Sequence, residues 1–262
     1  MAKSNQYNIV TELQIMASTS RETLTAPEKQ KPNILEIYVQ PCLVELLGTT
    51  LLISIVCLSV MTNPDGASPL QPALAQGFTL ASLISVLGNV SGGHFNPAIT
   101  LAVVLCGGMT PILIIPYWIC QLSGGMLGAL LAKGLADEAS FVNQTGAACM
   151  VNSRTTVGKA VGVEIVMTFF LILIVLMGVV GERSKTKLAP YSVAFTLIAA
   201  ILIGGSISGS CLNPARALGP AIVASYWDYH WVYWVGPTVG SLLVSIGFRF
   251  LLAGQAHRLF CK

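Results

Sequence analysis

Six apolar runs dominate this 262-residue chain, at approximately 39–61, 72–90, 112–133, 158–180, 188–207 and 231–252. Each is near the ~20 residues that a helix needs to cross ~30 Å of hydrocarbon. Inside lipid every backbone N–H and C=O must find a partner within the protein, so runs of this length are helices. Strands of a membrane barrel would be shorter and would alternate apolar with polar residues; these runs do neither. Composition agrees, with 54% hydrophobic and 10% charged residues, against about 25% charged in soluble domains. Too few charges remain to cover a soluble surface, and the same imbalance excludes disorder as the main state. The chain reads as a polytopic, all-α membrane protein.

Two shorter segments are left over, 91–105 (SGGHFNPAITLAVVL) and 208–224 (SGSCLNPARALGPAIVA). Each opens with small polar residues and continues as a helix too short to span. Such pieces are tolerated in a membrane as re-entrant half-helices, buried in protein or lining a cavity. They also expose a duplication. Glu45 in the first run precedes Asn96-Pro97-Ala98 by 51 positions, and Glu164 in the fourth precedes Asn213-Pro214-Ala215 by 49. Each half holds three spans and one half-helix. Three is odd, so the second half enters from the opposite face. The expected fold is six transmembrane helices plus two re-entrant half-helices in an inverted repeat, with repeat one at 39–133 and repeat two at 158–252. Such repeats commonly place the working site at the midplane.

Orientation follows from Lys and Arg. The N-terminal tail (1–38) carries Lys3, Arg21, Lys29 and Lys31; the connection between spans four and five carries Arg183, Lys185 and Lys187; the C-terminal end carries Arg249, Arg258 and Lys262. With six crossings these ten share one side, so both termini are expected in the cytoplasm. Lys133, Arg154 and Lys159 fall on the other side. The tail 1–38 is polar and lacks a signal-peptide core. It is expected to be mobile, with a short helix at 9–16 as the alternative, and 253–262 is a second tail. Asn143-Gln144-Thr145 is a glycosylation sequon in the third connection, which this topology puts outside. Asn89-Val90-Ser91 also matches, but at membrane depth. A net charge of +3 without a basic, aromatic-interleaved stripe gives no reason to expect nucleic acid. Seven cysteines, mostly inside apolar runs and with no CxxC pair, suggest neither a disulfide framework nor a zinc site. No cofactor is expected. No Ser–His–Asp set, Walker loop or dinucleotide fingerprint points to an enzyme.

The paired Asn-Pro-Ala motifs, the second followed by Arg216, with SGGHFNPA in one loop and SGSCLNPARALGP in the other, resemble the aquaporin family. QPCLVELLG (40–48) and LGNVSGGHFNPA (87–98) are similar to its aquaporin-8 branch. The resemblance runs from about 39 to 252. It implies a homotetramer in the bilayer with one pore per subunit, passing water and small neutral solutes. By spacing from the motifs, the family's constriction positions fall on Gln76, Ile201, Ser210 and Arg216. Water-selective members carry a bulky aromatic at the first and His at the second, and aquaporin-8-type members usually have His where Gln76 stands. A wider, less polar constriction is expected to admit ammonia, hydrogen peroxide, and urea or other small amides beside water. Glycerol channels usually carry Asp after the equivalent of Arg216; Ala217 stands here.

Elementary chemistry supplies reasons for these residues. Asn is a good N-cap and Pro suits the first helical turn. Half-helices meeting N-terminus to N-terminus concentrate about half a positive charge each at the centre, which repels cations. An intramembrane Arg216, and Glu45 and Glu164, are expensive in lipid and so demand a role. Arg216 is assigned to the constriction, with a structural Arg paired to a carboxylate as the alternative. The two Glu are expected to accept hydrogen bonds from half-helix N–H groups and from His94, with a proton relay as the alternative; His94 reads as a packed, bonded residue. Cys211 is a candidate pore thiol or else a buried, inert one. Gly124, Gly125, Gly128 and Ala129, with Gly158 and Gly162, are expected to allow close helix approach. Trp227, Trp231, Tyr233 and Trp234 look like an interfacial belt. A passive channel is the function expected; an ion-coupled secondary transporter is the alternative. The plasma membrane is the default location, and an internal membrane the alternative.

Overall fold

The structure, a computed structural model, describes residues 33–63 and 67–254, together with the helical positions 11, 12 and 14. The rest of the expected tails, including most of 9–16, lies outside the described residues. Among the described residues six helices are long and apolar enough to cross a bilayer: α1 (Leu35–Met61), α2 (Leu70–Ser91), α4 (Pro111–Leu135), α6 (Val157–Val180), α7 (Ala189–Ser208) and α9 (Val232–Leu252). Helix α1 starts four residues before the expected 39, because Leu35, Ile37 and Tyr38 continue its apolar run and Glu36 suits a helix N-terminus. The two half-helices are α3 (Pro97–Leu105) and α8 (Pro214–Ala224). A short helix missing from the sequence reading, α5 (Glu138–Asn143), sits in the third connection. Asp137 caps it by accepting from Ser140 N at 2.9 Å, which holds the Asp137 carboxyl below its ordinary range.

Each half-helix is set up the same way. The preceding span ends on a glycine in the left-handed region, Gly92 (φ 89°) after α2 and Gly209 (φ 86°) after α7. Only glycine adopts this without strain. The chain then turns through Phe95 (φ 48°) and Leu212 (φ 55°) into an extended Asn. Asn96 Oδ1 accepts from Ala98 N at 2.9 Å, and Asn213 Oδ1 accepts from Ala215 N at 2.9 Å, with Pro in the first turn.

Packing repeats as well. Helix α1 lies against α2 and α4, as α6 lies against α7 and α9, and α2 against α7 joins the halves. The half-helices cross over: α3 packs on α9 of the other repeat, and α8 on α4. Glycines set these approaches. A Cβ on Gly124 or Gly128 would press on the α1 backbone at Leu46 or Thr50, and one on Gly125 would overlap the Ala215 carbonyl. Gly158 and Gly162 make no such approach among the described residues: apart from their own helix backbone and chain neighbours, nothing lies within 4 Å of a Cβ placed there.

Polarity is inverted relative to a soluble protein. Leu43, Leu47 and Ile55 on α1 are exposed, while Glu45, Thr49, Gln121, Glu164, Thr168 and Ser241 are 0% exposed. Outward leucines and inward carboxylates fit a helix bundle whose solvent is lipid. Trp227 and Trp231 are exposed as a belt requires, but Tyr233 is fully buried. Its hydroxyl donates to Ser208 O at 2.8 Å, so it belongs to the interior.

Candidate functional site

The site is built on two buried glutamates. Glu45 Oε1 accepts from Ser91 Oγ at 2.7 Å and His94 N at 3.0 Å; its Oε2 accepts from Phe95 N at 2.6 Å and Gln121 Nε2 at 2.8 Å. Glu164 repeats the pattern, with Oε1 accepting from Ser208 Oγ at 2.7 Å and Cys211 N at 2.9 Å, and Oε2 from Leu212 N at 2.8 Å. These N–H groups belong to the loops leading into α3 and α8. A loop inside a membrane has orphan backbone donors, and the carboxylates take them. The same bonds hold Phe95 and Leu212 in a backbone region that costs about 1–3 kcal/mol for such residues. His94 reaches Glu45 through its backbone rather than its ring, because the ring is turned the other way. Its Nδ1 lies 3.1 Å from Thr100 Oγ1, and the ring stands edge-on to Tyr117 at 5.6 Å.

The supports extend to the neighbouring spans. Tyr117 OH donates to Ser91 O at 2.8 Å, as Tyr233 OH does to Ser208 O. Trp118 Nε1 donates to Pro97 O at 3.1 Å, and Ser241 Oγ to Ala98 O at 2.8 Å. In the second repeat the Gly125 backbone takes the place of a hydroxyl by abutting the Ala215 carbonyl. At its far end α3 is completed by Arg249 Nη1, which donates to Leu105 O at 2.8 Å, a cation at a helix C-terminus as the dipole favours.

The tips of the half-helices touch. Asn96 Nδ2 donates to Leu212 O at 2.9 Å, and Asn213 Nδ2 donates to Phe95 O at 2.9 Å. Each Asn thus caps its own helix with its oxygen and reaches the opposite loop with one N–H. This reciprocal bond could not be read from spacing alone, although the two motifs were the signal for it.

The four spacing-derived positions are all buried: Gln76 on α2 at 7% exposure, Ile201 on α7 at 6%, Ser210 at 2% and Arg216 at 7%. Helices α2 and α7 meet beside Gln76, where a Cβ on Gly77 would overlap Ile198, one turn before Ile201. Ser210 Oγ donates to Ala200 O at 2.7 Å, which ties that residue to α7 next to Ile201. Arg216 Nη1 donates to Ala147 O at 2.7 Å. Its partner is therefore a loop carbonyl, and the third connection folds inward to supply it; sequence reasoning had no signal for this.

The cysteines require a correction. Cys211 is not a pore thiol: it is disulfide-bonded to Cys149, with Cα atoms 6.1 Å apart. Cysteine spacing points to no disulfide framework and does not reveal this single bridge, because Cys149 lies in the third connection, and that loop packs onto the loop before α8. The bridge is buried in a small apolar cluster with Ala160, Ala217, Val232 and Tyr233. Among the described residues Cys42, Cys57, Cys106 and Cys120 are free. Asn143 is exposed at the end of α5.

Comparison with known proteins meets this geometry. Residues 34–248 match the family described as "Major intrinsic protein". The chain is 51% identical over 243 residues to Aquaporin-8 of Rattus norvegicus, covering 92% of each chain. It is 52% identical over 228 residues to Aquaporin-8 of Mus musculus, covering 87% of each. Its fold matches the X-ray structure of the aquaglyceroporin from Plasmodium falciparum with a TM-score of 0.71, covering 80% of this chain and 95% of that one at 24% identity.

Proposed function

Because the chain belongs to the major intrinsic protein family, the aquaporins, and folds as a multi-pass bundle, we propose that it is a passive channel for water and small neutral solutes that excludes protons and ions. The observation that carries this reading is the reciprocal Asn96–Leu212 and Asn213–Phe95 hydrogen bonding. It brings two helix N-termini together, so about half a positive charge from each is focused on one point. An amide has two N–H donors. Each Asn uses one on the facing loop and turns the other toward a passing oxygen. A water held by both must point its own hydrogens away, which interrupts the donor–acceptor chain along which protons hop. Dipoles and lining donors of this kind are recognised levers of pore selectivity.

Gln76, Ile201, Ser210 and Arg216 form the sieve in this reading. With Ile201 apolar and the Ser210 hydroxyl engaged on Ala200, Arg216 and Gln76 supply the polar contacts. Such an opening suits ammonia and hydrogen peroxide, and urea or other small amides. The glutamates favour a channel over an ion-coupled transporter: Glu45 accepts four hydrogen bonds and Glu164 three, which makes them supports rather than carriers of a moving proton. The subunits assemble as a homotetramer, with both termini in the cytoplasm and the plasma membrane as the site of action.

The test is reconstitution of purified protein in vesicles, with water, ammonia and peroxide fluxes measured on one preparation. Water flux no faster than through empty vesicles, or accumulation driven by an ion gradient, would refute the channel. Ile201→His narrows and polarises the sieve. It is expected to lower ammonia permeability about tenfold and water permeability no more than about twofold. Equal losses in stopped-flow traces would remove Ile201 from the sieve. If the third connection is extracellular, expression in eukaryotic cells gives a glycosidase-sensitive band that Asn143→Gln abolishes; a band unaffected by the substitution would overturn that use of the sequon.

A further inference from the structure

The two repeats hold the loop before each half-helix differently. In repeat one the residue two before Asn96 is His94, tied by its ring to Thr100 Oγ1 at 3.1 Å and packed edge-on to Tyr117. In repeat two the corresponding residues are Cys211, Ala217 and Tyr233. Ala217 has no hydroxyl, so that polar tie is gone. The Cys149–Cys211 bridge stands in its place, in the cluster that contains Ala217 and Tyr233.

Unlike the His94 tie, the bridge reaches outside its own repeat. Cys149 lies two residues after Ala147, whose carbonyl accepts from Arg216 at 2.7 Å. Farther along the same loop, Asn152 N donates to Ile207 O at 3.0 Å and Asn152 Nδ2 to Ser206 O at 2.8 Å. The segment from 147 to 152 is therefore fastened across residues 206–216 at three levels, and the bridge is the middle one. Backbone carbonyls on a connecting loop would otherwise be mobile. A covalent closure restricts them without occupying the lumen.

We propose that Cys149 is a positioning residue for selectivity. Through its bridge to Cys211 it holds the Ala147 carbonyl where it fixes the Arg216 guanidinium, and so sets the width of the constriction. This rests on the channel reading above, with Arg216 in the sieve. Without the bridge the loop lifts, Arg216 loses its fixed partner, and solutes larger than water gain more than water does.

The experiment compares wild type, Cys149→Ala, Cys211→Ala and the double variant in proteoliposomes, at matched protein content, by osmotic water flux and formamide flux. Mass spectrometry of unreduced wild type is expected to show the peptide cross-linked between 149 and 211. Each variant is expected to raise the formamide-to-water permeability ratio about threefold, and the double variant no more than either single one, because the bridge acts as a unit. A loss of folded channels would lower both fluxes together and leave the ratio unchanged; that result, or the absence of the cross-linked peptide, overturns the proposal. A wild type that conducts neither solute would instead sink the channel reading itself.

Discussion

Glu45→Ala is expected to leave no well-folded bundle in mild detergent. The carboxylate accepts from Ser91 Oγ, His94 N, Phe95 N and Gln121 Nε2, and Glu45 is 0% exposed. Deleting it strands these donors in a site closed by Tyr117 and the Gly48–Phe95 contact. Each orphaned buried donor costs about 1–3 kcal/mol, so the loss is about 4 kcal/mol or more, a large share of the stability of a typical fold. The left-handed backbone at Phe95 also loses its restraint. Glu164→Ala strands three donors rather than four, so it is expected to damage the fold less. Size-exclusion profiles and thermal unfolding of both variants check the ranking. A Glu45→Ala protein that elutes as a single peak and melts with wild type would show that the carboxylate is not what holds the first loop.

Arg216→Ala carries the largest functional effect. The guanidinium is buried and held on Ala147 O at 2.7 Å. A unit charge ~5 Å from a passing cation, at an effective dielectric of ~20, repels it by about 3 kcal/mol, which is a factor of about 100 in flux. Removing that charge is expected to raise proton leak by roughly this factor. Water flux should stay within about threefold of wild type, because the facing half-helix termini and both Asn amides remain in place. Collapse of an imposed pH gradient across vesicles measures the first, and light scattering the second. Proton leak unchanged from wild type would place cation exclusion wholly at the Asn pair.

The amino-acid order alone determined the class, the six spans and the inverted duplication. Hydrocarbon forces a local solution on the backbone, so a long apolar run declares itself without reference to its neighbours. The half-helices were legible for a similar reason: an Asn cap followed by Pro is a local instruction, and finding it twice at matching distances from a buried Glu made the pairing visible. Glu45 and Glu164 could be named as supports because a carboxylate in lipid needs donors, and the orphan N–H groups of the short loops were the donors at hand.

Tertiary structure alone decided which partner each group takes when several lie within reach. It turned the His94 ring away from Glu45 and toward Thr100, buried Tyr233 instead of leaving it in the belt, and joined Cys211 to Cys149 across 62 positions. It also brought Ala147 to Arg216. Residue type says that a thiol, a phenol or a guanidinium must be satisfied, but not by whom. That choice depends on how an irregular loop folds back over the bundle, and a loop has no periodicity from which its path can be read.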